Sequence, residues 1–304
     1  MSGILVSMQG AVSQGVLWGI MVLGVYITYK ILNIADLTVD GSFALGGCVC
    51  GVLVVQHGVH PALALLIAVF AGVAAGAVTG FLHTVFEIPA ILSGILTQIA
   101  LWSINLRIMG EKSNIPLLNV NTVFSEWVDV TSLSHSQVAL ILGIIIAIVV
   151  ILVLYWFFGT EIGAALRATG NNEEMIRALG VNIKRTKILA LMISNGLVGL
   201  SGALVCQNQK YSDINMGTGA IVIGLAAIVI GEVLMRRART FGSHLASAVI
   251  GAVVYFLIRA IVLRLGMSAN DMKLLSAVIV ALALCIPVAA GKWRMRRSYK
   301  EGRN

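Results

Sequence analysis

The sequence predicts an all-α polytopic membrane protein with about nine transmembrane helices. Of its 304 residues, 59% are hydrophobic and 11% are charged, whereas a soluble domain carries about 25% charged residues. The mean hydropathy is +0.97. The apolar residues occur in runs of about 20, the length that an α-helix needs to cross a bilayer. We therefore expect residues 1–304 to form a single transmembrane domain.

Each predicted helix corresponds to one apolar window. The windows are 9–30, 38–56, 61–86, 88–108, 137–158, 187–208, 218–235, 242–263 and 272–290. Ten spans, or a half-span near Asn33–Gly47, remain as alternatives. The N-terminus lacks a basic region and an A-x-A site ahead of the first window, so we do not expect a cleavable signal peptide.

The basic residues predict the orientation of these spans, because Lys and Arg favour cytoplasmic loops. They concentrate in the tail at 291–304, in the arginines at 236, 237 and 239, at the end of the polar segment 159–186, and at Lys30. With nine spans, all four groups fall on one side, which predicts an outside N-terminus and a cytoplasmic C-terminus. The weakly acidic loop at 109–136 is then extracytoplasmic. The net charge of +8 is thus an orientation signal, and we expect no nucleic-acid partner.

The polar segment at 159–186 is the longest interruption between predicted spans other than the loop at 109–136. Charged side chains and unpaired backbone groups are costly in lipid, so we expect this loop to lie in water. We expect Gly163–Thr169 to continue span five as a helix and Gly170–Asn172 to break it. The next residues, Glu173–Leu179, predict a short helix with acids in its first turn and with Gly180 as its C-cap.

A small apolar face on this short helix, made of Met175, Ile176 and Leu179, suits docking into a groove on another protein. The alternative is a surface helix that rests on the membrane or on its own neighbours. Sequence spacing alone leaves both open.

A second unusual segment, Asn33–Gly47, places two carboxylates ahead of three glycines at the start of span two. One interpretation is an unwound helix start that lines a cavity. The other is that Asp36 or Asp40 caps its own helix, and both can hold. A similar pattern in Asp213–Gly224 opens span seven. It suggests an inverted repeat of spans one to four and six to nine, although the spacings differ.

Polar residues inside the spans need partners in the bilayer, so they either line a translocation path or join neighbouring helices. The candidates for the path are Asp36, Asp40, Ser42, Ser93, Thr97 and Gln98. Glu87 and Glu232 lie at predicted inner span ends, where we expect them to be solvated or paired with arginine.

Glycines at helical spacing predict close helix packing. Packing between helices of the same chain is favoured over a contact between two copies of the chain. The glycines are Gly72, Gly76 and Gly80 on span three and Gly196, Gly199 and Gly202 on span six.

No catalytic or metal site is expected. The cysteines Cys48, Cys50, Cys206 and Cys285 lie in apolar runs and are predicted to be buried, reduced and structural. Because Cys48 and Cys50 point about 200° apart on a helix, they cannot clamp one metal. No histidine pair has i, i+4 spacing, and the G-x-x-x-x-G-K-[ST] nucleotide-binding pattern is absent. We therefore do not expect an enzyme, and transport would need an energy source in another chain.

The run Arg167–Leu204 resembles the membrane permeases of bacterial ABC importers, and more narrowly those of the branched-chain amino-acid type. The residues that match the family's loop motif are Arg167, Ala168, Gly170, Asn171 and Gly180. Ser194, Gly199 and Gly202 match the span that follows, with Val198 where alanine is usual. Leu32–Ser42 resembles a subgroup linked to aromatic amino acids or other small solutes.

This resemblance implies a machine of several parts. A separate cytoplasmic ABC ATPase, which would hold ATP and Mg²⁺, docks on a coupling helix within 159–186. A second permease copy, as a homodimer rather than a heterodimer, completes the path across the bacterial cytoplasmic (inner) membrane. An extracytoplasmic binding protein delivers an amino acid or similar small solute, and this chain carries no cofactor of its own.

The resemblance also assigns residues to the ATPase contact. They are Arg167, Gly170, Asn171, Glu173, Glu174, Met175, Ile176, Leu179 and Gly180. At Glu174 and Met175 the family often has a small residue, so the groove contacts differ there.

The alternative function is that of an ion- or proton-coupled secondary transporter of a small metabolite. It predicts a carboxylate near mid-membrane, whereas the acids are expected near span ends.

Overall fold

The computed structural model describes residues 2–118, 120–131, 133–235, 240–266, 271, 274, 276–282 and 285. These residues form a helical bundle with one small two-stranded sheet. Within them, seven helices are long and apolar enough to cross a membrane, and an eighth apolar helix at Ala220–Leu234 is shorter. Helices therefore cover the first eight predicted spans, and the ninth lies largely outside the described residues.

The elements follow one another in this order. Helix α1 spans Ser2–Tyr26 and continues as a π-helical turn at Ile27–Ile31, followed by α2 (Thr38–Val55), α3 (Pro61–Thr84) and α4 (Ala90–Ile108). Strand β1 (Asn114–Pro116) and α5 (Val123–Thr131) precede α6 (His135–Gly159), α7 (Glu161–Asn171), α8 (Glu173–Ala178) and α9 (Ile183–Gln209). Strand β2 (Tyr211–Asp213), α10 (Ala220–Leu234) and α11 (Phe241–Arg264) complete the series.

Local sequence signals set many of these boundaries. Pro61 occupies the first turn of α3, where its missing N–H costs nothing, and His60 Nδ1 accepts a hydrogen bond from the Ala62 N–H. A capping box formed by Thr240 and Ser243 begins α11. Helix α9 ends where Lys210 adopts a left-handed conformation with φ of 57°.

Helix α9 is the central element, with its most extensive contacts to α3 and α2 and further contacts to α1. The predicted glycine stripes make this packing possible. A Cβ on Gly72 or Gly76 of α3 would collide with the α9 carbonyl of Asn195 or Leu191. On the other side of α9, a Cβ on Gly202 would collide with the Phe43 carbonyl of α2. The glycines therefore serve packing within the chain, as predicted.

Side-chain hydrogen bonds lock the same helix to α1. The hydroxyl of Ser194 donates to the Gly24 carbonyl and that of Ser201 to the Leu17 carbonyl, each at 2.8 Å. Both serines are fully buried. Polar residues inside spans here join helices, which is one of the two roles expected of them.

The bundle has two distinct ends. At one end, which also carries α7 and α8, Lys30 pairs with Glu232 at 2.8 Å and Lys184 with Glu87 at 3.7 Å. Glu87 is also mostly solvated, with 81% of its side chain exposed, as one of the two expectations had it, and the ion-pair partners seen are lysines where arginine was expected. Lysine fits because both partners belong to basic segments that reach this end from other helices. Lys30 and the loop at 159–186 therefore share one end, as the predicted orientation requires.

At the opposite end, β1 and β2 pair antiparallel with Ile115 opposite Ser212. The loop at 109–136 also contributes α5 there, where Val123 N–H donates to Gln207 Oε1 at 2.9 Å. This end closes over the termini of α2, α4 and α9.

Burial of the cysteines follows the prediction for Cys48, Cys50 and Cys206, but Cys285 is exposed. An apolar run in a membrane chain can face lipid as well as protein, so hydrophobicity alone did not determine its burial.

Gly76→Leu should disrupt the α3–α9 contact. The added side chain would meet the Leu191 carbonyl, and overpacking of this kind costs about 1–3 kcal/mol or more. We expect a lower thermal unfolding temperature in detergent and less protein in the membrane. Gly159→Leu is the matched control, because a Cβ there meets nothing within 4 Å. Equal unfolding temperatures for the two variants would contradict this account of the packing.

Candidate functional site

The polar loop at 159–186 contains the helices α7 and α8, and a helix break at Thr160 separates α7 from α6. Thr160 has an extended backbone, and its Oγ1 accepts from the Gly163 N–H at 3.3 Å and donates to the Phe157 carbonyl at 2.6 Å. The expectation that Gly163–Thr169 continues span five as one helix is therefore wrong. The hydroxyl of Thr160 ends α6 and begins α7 in a new direction.

The second break lies at Asn172 alone. Gly170 and Asn171 are still part of α7, contrary to the predicted break at Gly170–Asn172. Asn172 is extended, and its Oδ1 accepts from the Met175 N–H at 3.0 Å, so a side-chain cap decides where α8 begins. Gly180 has φ of +82° and ends α8, as its C-cap role predicted.

Two predicted contact residues hold α7 against the chain's own bundle. A Cβ on Gly170 would collide with the Ile31 carbonyl, and Asn33 Nδ2 donates to the Gly170 carbonyl at 3.3 Å. The Arg167 guanidinium lies 5.5 Å from the centre of the Phe241 ring, within the range of a cation–π contact. The loop is thus tied to the π-helical turn and to the first residue of α11.

Helix α8 presents only part of its predicted apolar face. Ile176 is 4% exposed and packs inward, whereas Met175 and Leu179 are 50% and 71% exposed. A short helix resting on the bundle must bury one side, so the three residues do not form one outward face. Met175 and Leu179, four residues apart, remain on one outer face.

The remaining predicted contact residues differ in whether they bind the rest of the chain. Glu173 pairs with Lys187 of α9, whose side chain is 14% exposed. Glu174 and Asn171 are exposed. Sequence reasoning did not identify Asn33 and Lys187 as anchors of this loop, because their partners lie on other elements and no spacing signals them.

Inside the bundle, Asp36 lies on a non-helical stretch at 32–37 that separates the π-helical turn from α2. The residue is 1% exposed. Its Oδ1 accepts from the Thr38 N–H at 2.9 Å and its Oδ2 from Asn195 Nδ2 at 2.8 Å. Asp36, which precedes the N-cap residue Leu37, therefore satisfies the first N–H of its own helix, and it also joins α2 to the middle of α9.

Asp40 caps a different helix. Its Oδ2 accepts from the Gly219 N–H at 2.8 Å and its Oδ1 from the Ile221 N–H at 2.9 Å, at the start of α10. The interpretation that Asp40 caps its own helix, α2, is thus wrong. The two segments with similar Asp and Gly patterns meet at this point, and both α2 and α10 begin inside the bundle.

A cavity of about 250 Å³ adjoins this junction. Helix α2, helix α4 and the turn before α10 line it. The lining residues are Asp40, Gly41, Ala44, Gln98, Ile99, Trp102, Ser103, Asn105, Ile214, Asn215 and Thr218. Two of the predicted path residues, Asp40 and Gln98, belong to this lining.

The other predicted path residues do not line this cavity. Asp36 bonds to α9, and Ser42 is fully buried in α2. Ser93 donates to the Pro89 carbonyl at 3.2 Å and Thr97 to the Ser93 carbonyl at 3.0 Å, both within one helix turn. A hydroxyl that bonds back to its own helix can be satisfied without a path or a partner helix.

Comparison with known proteins assigns the chain to a family. Residues 7–286 match the branched-chain amino acid transport system / permease component family. The chain belongs to this family. It is thus the membrane-embedded, non-catalytic permease subunit of an ABC importer and a multi-pass protein of the bacterial cytoplasmic membrane. Membership implies ATPase and binding-protein partners and no cofactor in this subunit.

The relatives of this permease are named for different transported solutes. The tyrosine transport system permease protein of Clostridioides difficile (strain R20291) is 41% identical over 92% of this permease and 90% of its own length. The ribose import permease protein RbsC of Escherichia coli (strain K12) is 26% identical over 87% of this permease and 81% of its own length. The probable branched-chain amino acid transport permease protein LivH of Methanocaldococcus jannaschii is 23% identical, covering 83% and 82%.

The bond between Asp36 and Asn195 should couple the stabilities of α2 and α9. Asn195→Leu removes one of the two donors to a buried carboxylate, which costs about 1–3 kcal/mol. We expect the unfolding temperature to fall, and to fall less when Asp36→Asn is already present, because the charge is then gone. A double-mutant cycle on the purified permease measures this coupling. Additive losses would show that the two side chains act independently.

Proposed function

We propose that this permease imports an amino acid, foremost an aromatic one such as tyrosine, using ATP hydrolysed by a partner docked on α8. The supporting observation is the exposed pair Met175 and Leu179 on a helix that other contacts anchor firmly. The 41% identity to a tyrosine transport permease supports the substrate class. A ribose permease at 26% identity is a more distant guide.

The anchors of the loop offer a route for movement. A partner that shifts α8 would pull α9 through the ion pair between Glu173 and Lys187. It would pull the π-helical turn through the contact of Gly170 with Ile31. That turn leads within a few residues to Asp36 and Asp40, which bind α9 and α10. Displacement of α8 would thus reach the helices around the cavity through short, packed connections.

The orientation completes this proposal. The proposed orientation has the end with α8 in the cytoplasm, an outside N-terminus and the tail at 291–304 inside; it is supported by Lys30 and the basic end of the loop at 159–186, which share one end. The opposite end, with β1, β2 and the loop at 109–136, receives the extracytoplasmic binding protein. ATP-driven closure of two ATPases would bring the two α8 helices together and switch the path between inward-facing and outward-facing states.

A second copy of the permease completes the path. The cavity wall on α4 includes Gln98 and Ser103 beside Trp102, which is 48% exposed. Polar groups on an outer helix face are costly against lipid, so this wall fits an aqueous path between two protomers. We propose a homodimer on this basis.

The alternative of an ion- or proton-coupled transporter gains one observation. Asp36 and Asp40 do not lie at a bundle end, since they bind the middle of α9 and the buried start of α10. Both acids lie at the start of α2, near a span end as expected, but α2 begins inside the protein and not at a bundle end. Each carboxylate, however, already accepts two hydrogen bonds, which suits a structural role.

The energy source separates the two functions. Proteoliposomes are prepared with the permease, its ATPase and its binding protein. They should accumulate radiolabelled tyrosine only when ATP is present on the same side of the membrane as the ATPase. A proton gradient without ATP should give no uptake. Gradient-driven uptake that needs no ATP would favour the secondary transporter and overturn the proposal.

Substitution on α8 tests the docking surface. Met175→Glu combined with Leu179→Glu places two charges on the exposed face, and we expect loss of ATPase co-purification and of uptake with normal permease folding. Val130→Glu is the matched control for ATPase co-purification, since Val130 is 83% exposed on α5 at the opposite end. Retention of the ATPase by the α8 variant would rule out this face as the contact.

A further inference from the structure

The cavity between α2, α4 and the turn before α10 has a one-sided charge. Among its lining residues, Asp40 carries a carboxylate, and none is Lys, Arg or His. The other polar groups are amides and hydroxyls. Beside low-dielectric protein walls, a single negative charge attracts cations and repels carboxylates more strongly than in bulk water.

A second lining residue offers an unused acceptor. Asn105 is 1% exposed, and its Oδ1 has no hydrogen-bond partner among the described residues. An unsatisfied buried carbonyl costs about 1–3 kcal/mol, which a donor in the cavity would recover. Because Asn105 lines the cavity, a small rotation of its side chain would present this buried oxygen to a solute rich in N–H donors.

The Asp40 carboxylate is oriented and retains acceptor capacity. Backbone N–H groups of Gly219 and Ile221 take one position on each oxygen. A carboxylate has about four lone-pair sites, so about two remain. An ammonium group has three N–H donors, and three residues of the cavity lining, Asp40, Asn105 and Gln98, have side-chain acceptors.

We propose that this cavity binds the ammonium group of the transported solute, with Asp40 as the residue that determines charge specificity and Asn105 as a second acceptor. This inference rests on the proposed function and extends it. Solutes with an ammonium group enter the path, and solutes with only a carboxylate are rejected.

The dimensions agree with capture of one part of a solute. The cavity volume of about 250 Å³ lies below the roughly 300 Å³ at which pockets for whole small molecules begin. Besides Asp40 and Asn105, the cavity wall includes apolar surface on Ile99 and Trp102. An aromatic or aliphatic side chain could pack there while the ammonium group binds the acceptors.

Three probes with the same ring test this proposal. They are tyrosine, tyramine, which keeps the ammonium group and lacks the carboxylate, and 3-(4-hydroxyphenyl)propanoate, which keeps only the carboxylate. Binding is measured on the permease–ATPase complex in nanodiscs without the binding protein, so that only the permease selects. Tyrosine and tyramine should bind and the propanoate should not. Equal binding of tyramine and the propanoate, or binding of none of the three, would overturn the proposal.

Variants then assign the residues. Asp40→Asn should weaken tyramine binding about tenfold or more, as expected for loss of a charged hydrogen-bond partner. Since Asp40 also caps α10, Asn105→Leu and Asn105→Asp keep the test independent of that cap. Asn105→Leu should weaken tyramine binding, and Asn105→Asp should strengthen it. Asp129→Asn is the matched control, because it removes a charge from exposed α5. Unchanged tyramine binding in both Asn105 variants would contradict the assignment.

The two proposals fail in different ways. A complex that takes up tyrosine with ATP but binds the propanoate as well as tyramine would overturn the ammonium site and leave the import function intact. Absence of ATP-driven uptake would overturn the import function, whatever the probes bind.

Discussion

The close approach of α9 to α2 and α3 is the contact on which the rest of the structure depends. Gly72 and Gly76 bring α3 against the backbone of α9 on one side, and Gly202 admits α2 on the other. In a bilayer no hydrophobic effect drives helices together, so packing and hydrogen bonds must do so. A side chain added at any of these positions would push α9 away from the one neighbour that the glycine contacts.

This packing allows two helices to begin inside the bundle. The ends of α2 and α10 leave backbone N–H groups that lipid could not satisfy. Asp36 supplies an acceptor for the first, and Asp40, from α2, supplies two for the second. The same carboxylates bind elements that are far apart in sequence, so the broken helix starts, the cavity and the centre of the bundle form one connected unit.

The loop at 159–186 joins this unit to the surface. Its inner side is fixed by Gly170, Arg167 and the pair of Glu173 with Lys187. Its outer side leaves Met175 and Leu179 exposed. A loop that is fixed on one side and exposed on the other suits the transfer of movement from a partner. In the proposed function, the energy source would act on this loop and the solute on the residues around the cavity, which are separate parts of one chain.

The sequence by itself determined the helical membrane class, the apolar helices at eight of the predicted spans, the glycine packing and the short helix ended by Gly180. These features depend on hydrophobic length, small-residue spacing and local capping, which act over a few residues. Only the tertiary structure decided that Asp40 caps α10, that Ile176 faces inward, that lysines pair with Glu87 and Glu232, and that Asn105 lines a cavity. Each of these depends on a partner or neighbour distant in the chain, and the spacing of residues along a sequence does not say which distant groups will meet.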